Sequence, residues 1–301
     1  ISVRLVGSEM CIRDRLFNIA IKNLFGAKLR TSLNVFVTSV SFFLVIFVSG
    51  MYDGMREHAK NITIETEIAG GTYWHPKYDP MDPRTFEYSH SVMPPKIKRL
   101  IDQKYAFGVL VSQASIYPNG RIMPAIMKGI TPSQTIVNIP TDVLEQDDDI
   151  TIPVLIGSEM AKNSNLKIGD SFTIRWLDAD RTYDADEGTI VHIMETENFK
   201  LDQGHIWIPL SKAQSMLAME NQATYVTYAK GLDVIQDTGD WIHHDVDYMI
   251  RDMEALIKAD EPGAQVMYSI LLALAAMGIF NAQILSILEE GKKSVPLWLW
   301  V

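Results

Sequence analysis

Three groupings of side chains in this 301-residue chain have the types that chemistry needs. His243, His244 and Asp245 stand in succession and offer the nitrogen and oxygen donors of a metal site. Read as part of a helix, neighbouring histidines diverge by about 100° and do not easily face one ion, so a solvated helix face is the preferred reading. Asp147, Asp148 and Asp149 would attract calcium, but the D-x-D-x-D-G spacing is missing and a solvated linker accounts for them. Glu289, Glu290, Lys292 and Lys293 gather behind an apolar run, where they either meet a partner or mark a snorkelling, topology-setting helix end.

Other chemistry is excluded by spacing. His58, His75, His90, His192 and His205 show no H-E-x-x-H pattern, and no serine sits in a G-x-S-x-G elbow. There is no G-x-x-x-x-G-K-[ST] loop to cradle nucleotide phosphates, so the chain is not itself an ATPase. No residue is assigned as catalytic, cofactor-binding or metal-binding, and an enzyme is not expected. Trp207 and Trp241 read as core rather than as cargo contacts.

The elements that would position these groups follow from charge and hydropathy. Arg30 and Asp53 enclose 22 uncharged residues, and Glu261 and Glu289 enclose 27, each above the ~20 that cross a bilayer core. From Asp53 to Glu261 the chain holds 19 Lys/Arg and 33 Asp/Glu, a net of −14, whereas the flanks hold 8 and 4, a net of +4. Basic flanks around an acidic middle place both ends in the cytoplasm and the middle outside. The acidic middle argues against nucleic acid as a partner. Cys11 is the single cysteine, so no intrachain disulfide forms and cysteine usage is silent on compartment.

Leu33–Tyr52 carries 14 apolar residues in 20, with Lys22, Lys28 and Arg30 anchoring its start. A signal peptide is the rival reading, but the run exceeds an h-region of about 7–15 residues and no small-x-small cleavage site follows. Residues 16–30 suit an interfacial amphipathic helix or a simple extension of the span. The second run, Val266–Leu288, has 18 apolar residues in 23, and Ala273, Ala275, Ala276 and Gly278 would let helices pack closely. Asn281 and Gln283 read as interhelical or interfacial hydrogen-bonding groups. Met51, Met55, Ala59 and Ile62 form one apolar stripe, and Ile242, Val246, Met249, Met253 and Leu256 form another, predicting two stalk helices that pack together.

Between the stalks, short strands, helices and turn signals predict an α+β architecture. Strands are expected at GTYWH, at VLVSQASIY and RIMPAIMKGI around a Pro118-Asn119-Gly120 turn, and at SFTIRW, GTIVHIMET and GHIWIPL. Helices are expected over Pro94–Asp102, from Ser158 and near SKAQSMLAM. The expected organisation is 1–15 as a non-native scar and 16–52 as interfacial helix and first span. An extracytoplasmic α+β subdomain follows at 53–149, with a β-rich subdomain at 150–220 and a return with stalk helix at 221–261. The second span with the start of a coupling segment covers 262–293, and 294–301 reads as a truncation artefact.

Four stretches, in order, resemble the FtsX/MacB-like ABC transporter permeases, the lipoprotein-releasing and macrolide-exporter type. IAIKNLFGAKLRTSLNV resembles the family's entry to its first span. VLIGSEMAKNSNLKIGDSFTI resembles its Gly…Ala…Gly-Asp strand turn, here Gly157, Ala161, Gly169 and Asp170. GHIWIPLSKAQSML resembles its strand-Pro-Leu-x-x-Ala-Gln element, and GIFNAQILSILEEGKK resembles its second span running into a charged coupling segment. Each motif alone is weak, whereas order and spacing over residues 16–293 make the set specific.

The resemblance implies an extracytoplasmic domain between spans one and two, two further spans that are absent here, and location in the inner (cytoplasmic) membrane. It implies as partners an ABC ATPase subunit, a second permease copy or homologous permease, a periplasmic adaptor or lipoprotein, and the lipid bilayer. It also implies that hydrolysis in the partner drives extracytoplasmic motion that releases or exports lipoproteins, hydrophobic compounds or peptides. Glu289, Glu290, Lys292 and Lys293 would then face the ATPase. The alternative is a two-span sensor or scaffold with an extracytoplasmic binding domain, with an envelope enzyme a distant third.

Overall fold

The computed structural model describes residues 28–145, 151–235 and 238–294. The fold is mixed α+β and divides into two units, one reaching to Arg56 and resuming at Ala255, the other covering Glu57–Glu254.

The first unit is built from the apolar parts of helix α1, Lys28–Thr63, and of the last helix, α6, Val246–Ser294. Both are long and apolar enough to cross a membrane, with an 18-residue stretch of mean hydropathy 2.1 within Val35–Ile68 and another of 1.8 within Pro262–Asn281. A helix satisfies its own backbone polar groups, and the hydroxyls follow suit: Ser41 donates to Val37 O at 2.9 Å and Ser269 to Gln265 O at 2.8 Å. Large side chains such as Phe36, Phe43, Leu274 and Phe280 are exposed. Of the small residues, Ala275 is buried while Ala273, Ala276 and Gly278 are exposed, and a Cβ placed on Gly278 would meet Val37 Cγ1 at 3.8 Å, so the two apolar segments approach each other at that position.

The second unit is organised by a nine-stranded sheet. Its strands are β1 (Gly71–Trp74), β3 (Ala106–Tyr117), β4 (Met123–Ile130), β5 (Ile152–Gly157), β6 (Ser171–Leu177), β7 (Tyr183–Met194), β8 (His205–Pro209), β10 (Tyr225–Tyr228) and β11 (Ile242–His244). The order is β11-β1-β10-β3-β4-β8-β5-β7-β6, and β6 also pairs with β3. That last pairing, Ala114–Tyr117 against Thr173–Trp176, closes β3, β4, β8, β5, β7 and β6 into a barrel. Short strands β2 (Ser91–Val92) and β9 (Gln222–Ala223) pair separately.

Alternation along the strands explains which runs are apolar. In β5, Val154 and Ile156 enter one cluster with Ile116, Met127, Ile174 and Ile206, while Leu155 enters another with Val109, Ile130 and Trp207. Both faces are covered, so every residue of β5 is buried and the sequence reads as a continuous apolar run. β6 alternates instead, with Phe172, Ile174 and Trp176 inward and the other face in solvent. A third cluster joins Tyr73, Val226, Tyr228 and Trp241 to Ile97 of α2, Pro95–Asp102. The hairpin β3–β4 turns at Pro118–Gly120, where Asn119 and Gly120 take positive φ.

Two local expectations are corrected. His243 and His244 lie in strand β11, not in a helix, because α6 begins only at Val246, where Asp245 Oδ1 accepts from Tyr248 N at 2.7 Å. The apolar stripes are only partly covered: Met51, Met55, Ala59, Ile242 and Leu256 are exposed, Ile62, Val246, Met249 and Met253 are half-buried, and the deeply buried residue of the α6 start is Ile250. The half-buried positions on α1 near its end also include Arg56 and Lys60, and Lys60 Nζ lies 3.6 Å from Glu254 Oε1. Periodicity of apolar residues located the helices and part of the faces that carry their contacts.

Candidate functional site

The charged residues expected to meet a partner are placed only by their backbone. Glu289, Glu290, Lys292 and Lys293 fall in the last turns of α6, and Lys28 and Arg30 in the first turn of α1. Lys22 and Asp147–Asp149 lie outside the described residues.

The motif residues in the folded unit all have structural work. Gly157 ends β5 against Asp202, so closely that any Cβ would collide with that residue's carboxylate and backbone. Asp202, at the end of the short helix α4, Phe199–Asp202, is buried, and its carboxylate accepts from Glu159 N at 3.2 Å and Ser158 Oγ at 3.3 Å, capping α3, Ser158–Ser164. Ala161 sits in the barrel core, and Gly169 takes φ +87° in a turn where Asp170 Oδ2 accepts from Lys167 N at 2.8 Å. In the second motif Pro209 precedes α5, Leu210–Met216, and Ala213 is fully buried against Gly129, where no Cβ fits. Gln214 Nε2 donates to Gln222 O at 2.9 Å. These residues shape the fold and carry no reacting group.

The densest long-range polar contacts surround the root of α1. Beyond Thr63 the helix widens into a π turn, Ile64–Ile68, and Ala69 leaves it with φ 51°. Glu65 O accepts from Asn138 N at 2.8 Å, Thr66 Oγ1 accepts from Asn198 Nδ2 at 3.0 Å, and Tyr228 O accepts from Gly70 N at 2.9 Å. Glu67 Oε1 lies 3.7 Å from Lys128 Nζ of β4, with the lysine side chain only 10% and the glutamate 25% exposed. They line a cavity of about 10 Å³ with Phe107, Val109, Trp207 and Tyr225, just enough for one water molecule. Burial pushes the Tyr225 and Tyr78 phenols well above the usual tyrosine range. Further out on α1, His58 Nε2 meets Glu197 Oε2 at 2.6 Å, but both side chains are largely exposed and the pair is worth little.

Sequence reading missed this root. Its one local signal was a lone charge, Lys128, inside the otherwise apolar run MPAIMKGI, since a lysine in a doubly buried strand needs a partner. A second polar grouping lies where β1, β10, β11 and the start of α6 meet. The Tyr228 hydroxyl pairs with His243 Nε2 at 2.8 Å, and His244 lies between the Tyr248 and Trp74 rings at centroid distances of 4.0 and 4.4 Å. On a strand the two imidazoles take opposite faces, so they do not converge on one ion. Among the described residues no group of three His, Cys, Asp or Glu side chains is arranged to hold a metal.

No family model matches the chain, and no curated protein matches it. Solved structures do. The periplasmic region of MacB from Actinobacillus actinomycetemcomitans is similar with TM-score 0.42 and 12% identity, covering 64% of this chain and 95% of that one. The extracellular domain of the ABC-type transporter YknZ from Gram-positive bacteria is similar with TM-score 0.36 and 11% identity, covering 62% and 94%. At this level of similarity neither neighbour assigns an activity.

Proposed function

We propose that the chain is part of a permease subunit of an ABC transporter, whose extracytoplasmic domain is moved by a separate ATPase. The observation that carries this reading is the unit formed by α1 and α6. Two apolar helices with exposed phenylalanines and leucines bracket one folded α+β unit in the sequence. That exposed surface suits lipid, while the net charge of the enclosed segment suits water. Basic residues outside the spans put both ends in the cytoplasm, and the cytoplasmic membrane is the proposed location.

The four ordered motifs add to this reading, as does the use of their residues for shape. Lipoproteins, hydrophobic compounds or peptides are the proposed cargo. A second permease copy and an adaptor or lipoprotein complete the proposed assembly. Glu289, Glu290, Lys292 and Lys293 are the proposed ATPase-facing cluster, and Lys22, Lys28 and Arg30 the proposed membrane anchors.

The test is sequencing across the locus followed by co-purification. The expected result is a neighbouring reading frame with a phosphate-binding loop, whose product co-purifies with the membrane protein. Reversing the four charges, E289K/E290K/K292E/K293E, should release it. A signalling domain in frame with this chain, with no ATPase nearby, would favour the two-span sensor or scaffold instead.

A further inference from the structure

β11 is a weak element in a decisive place. It has only three residue pairs with β1, namely Thr72–His244, Tyr73–His243 and Trp74–Ile242, and it forms one end of the strand order. One residue later the chain starts α6. Short edge pairings of this kind open before the rest of a fold. Yet two of the three residues are histidines, each engaged by its ring on a different face.

We propose that β11 is an acid-sensitive clasp: with His243 and His244 uncharged it holds the start of α6 against β1, and protonation of the pair loosens it. The geometry gives His243 a partner suited to its neutral form. When neutral with its proton on Nδ1, His243 accepts at Nε2 from the Tyr228 hydroxyl of β10, 2.8 Å away. A proton on Nε2 places two donors along that line and forces the phenol to turn. Tyr73 of β1 turns its hydroxyl to Ile235 N, from which it accepts at 2.8 Å, and packs its ring 5.1 Å from His243.

His244 stacks on Tyr248 of α6 and lies tilted by 60° against Trp74 of β1, and Arg251 lies 4.7 Å from the Tyr248 ring. The aromatic faces and Asp245 favour an imidazolium there. Loss of solvent, the neighbouring His243 and Arg251 oppose it and prevail, so the His244 pKa is lowered. Burial likewise lowers His243 against the pull of Asp245. His75, the residue after β1, is lowered by burial, then by His90 and Lys77, with Asp240 opposing. His75, His243 and His244 are therefore all shifted in the same direction.

That sign follows from linkage. A histidine lowered from its ordinary 6.5 binds fewer protons in the folded corner than in the opened one. Its contribution to the clasp is complete above that value and is lost as the pH falls below it.

Hydrogen exchange on the full chain in nanodiscs tests this, comparing the peptide over residues 242–250 with the β3–β4 hairpin after correction for intrinsic exchange. From about pH 7.5 to about pH 5, protection of the former should fall several-fold while the hairpin stays constant. The double variant H243Q/H244F, which keeps a polar partner for Tyr228 and a ring between Trp74 and Tyr248, should lose that dependence. Each single variant should keep only part of it. Wild-type protection that does not change with pH overturns the proposal even if the double variant does not fold. An undiminished fall in the double variant or in either single variant overturns it too. No outcome depends on an ATPase partner, so this clasp and the proposed transport role stand or fall separately.

Discussion

Lys128 Nζ stands 3.7 Å from Glu67 Oε1, joining the middle of the sheet to the turn that leads out of α1. Nothing in the 60 or so residues between them announces this contact. A cation buried to this depth is tolerable only with its counter-charge, and removal of one partner leaves the other stranded. E67Q should therefore destabilise the domain by about 2 kcal/mol, discounted from the fully buried case because the glutamate retains some solvent. The double variant E67L/K128M, which removes both charges, should recover most of that loss. Denaturant unfolding of the three proteins in detergent, followed by tryptophan emission, measures the cycle.

Close approaches at Gly157 and Gly129 give a second expectation. G157A must displace Asp202 from the end of α3, and G129A must displace Ala213, so each should cost about 1–3 kcal/mol through overpacking. D202A should cost about 1 kcal/mol through loss of the cap. Gly169 faces open space, yet its φ of +87° makes G169A unfavourable by backbone strain of about 1 kcal/mol. Chemical denaturation midpoints rank the four variants.

Packing of the apolar helices is testable by cross-linking. A Cβ on Gly278 would lie 3.8 Å from Val37 Cγ1, which brings the two backbones near enough for this pair to be the one to cross-link. In a C11S background, V37C/G278C should oxidise within one chain in membranes. F43C/G278C, which takes α1 from an exposed position, should not. Non-reducing gel mobility after mild oxidation distinguishes the two, and bridging of the second pair alone would refute the packing.

At alkaline pH the corner around β10 should respond through Tyr228. Burial, then Tyr73 and Asp245, push its phenol from 10.0 up to about 12. The neutral phenol is the form the fold prefers, so its contribution is intact below pH 10 and disappears as the pH rises towards 12. Ultraviolet difference titration should show this tyrosine ionising late, and stability measured against pH should decline over the same window. Y228F should flatten that decline while losing the bond to His243.

Orientation across the membrane is the prediction closest to function. Single cysteines at Tyr88 or Ile122, both exposed in the folded unit, should react in intact cells with a maleimide that does not cross the cytoplasmic membrane. A cysteine at Lys293 should react only after permeabilisation. The opposite pattern would invert the proposed topology and with it the cytoplasmic ATPase contact.

How much of this was legible beforehand differs by element. The hairpin of β3 and β4, the helix from Ser158 and the strand ending in Pro209 were readable because turn residues and local periodicity mark them. β7 was read only from Gly188 onward, since its first half, Tyr183–Glu187, is polar and exposed and becomes a strand through its ladder with β6. The histidines at 243 and 244 were given to a helix because the α6 pattern, extended backwards by one turn, fits them equally well. A three-residue edge strand is too short to announce itself by alternation.

The sequence by itself determined the apolar segments, the charge difference between the ends and the middle, and the turns, because these depend on residues near one another along the chain. Tertiary structure alone decided that β6 returns to β3 to close a barrel, that Glu67 finds Lys128, and that His243 finds Tyr228. Each of those contacts joins segments far apart in sequence. Such pairings follow from burial of the whole sheet and from the counter-charge or hydrogen bond that burial then demands, and neither condition is written in any local window.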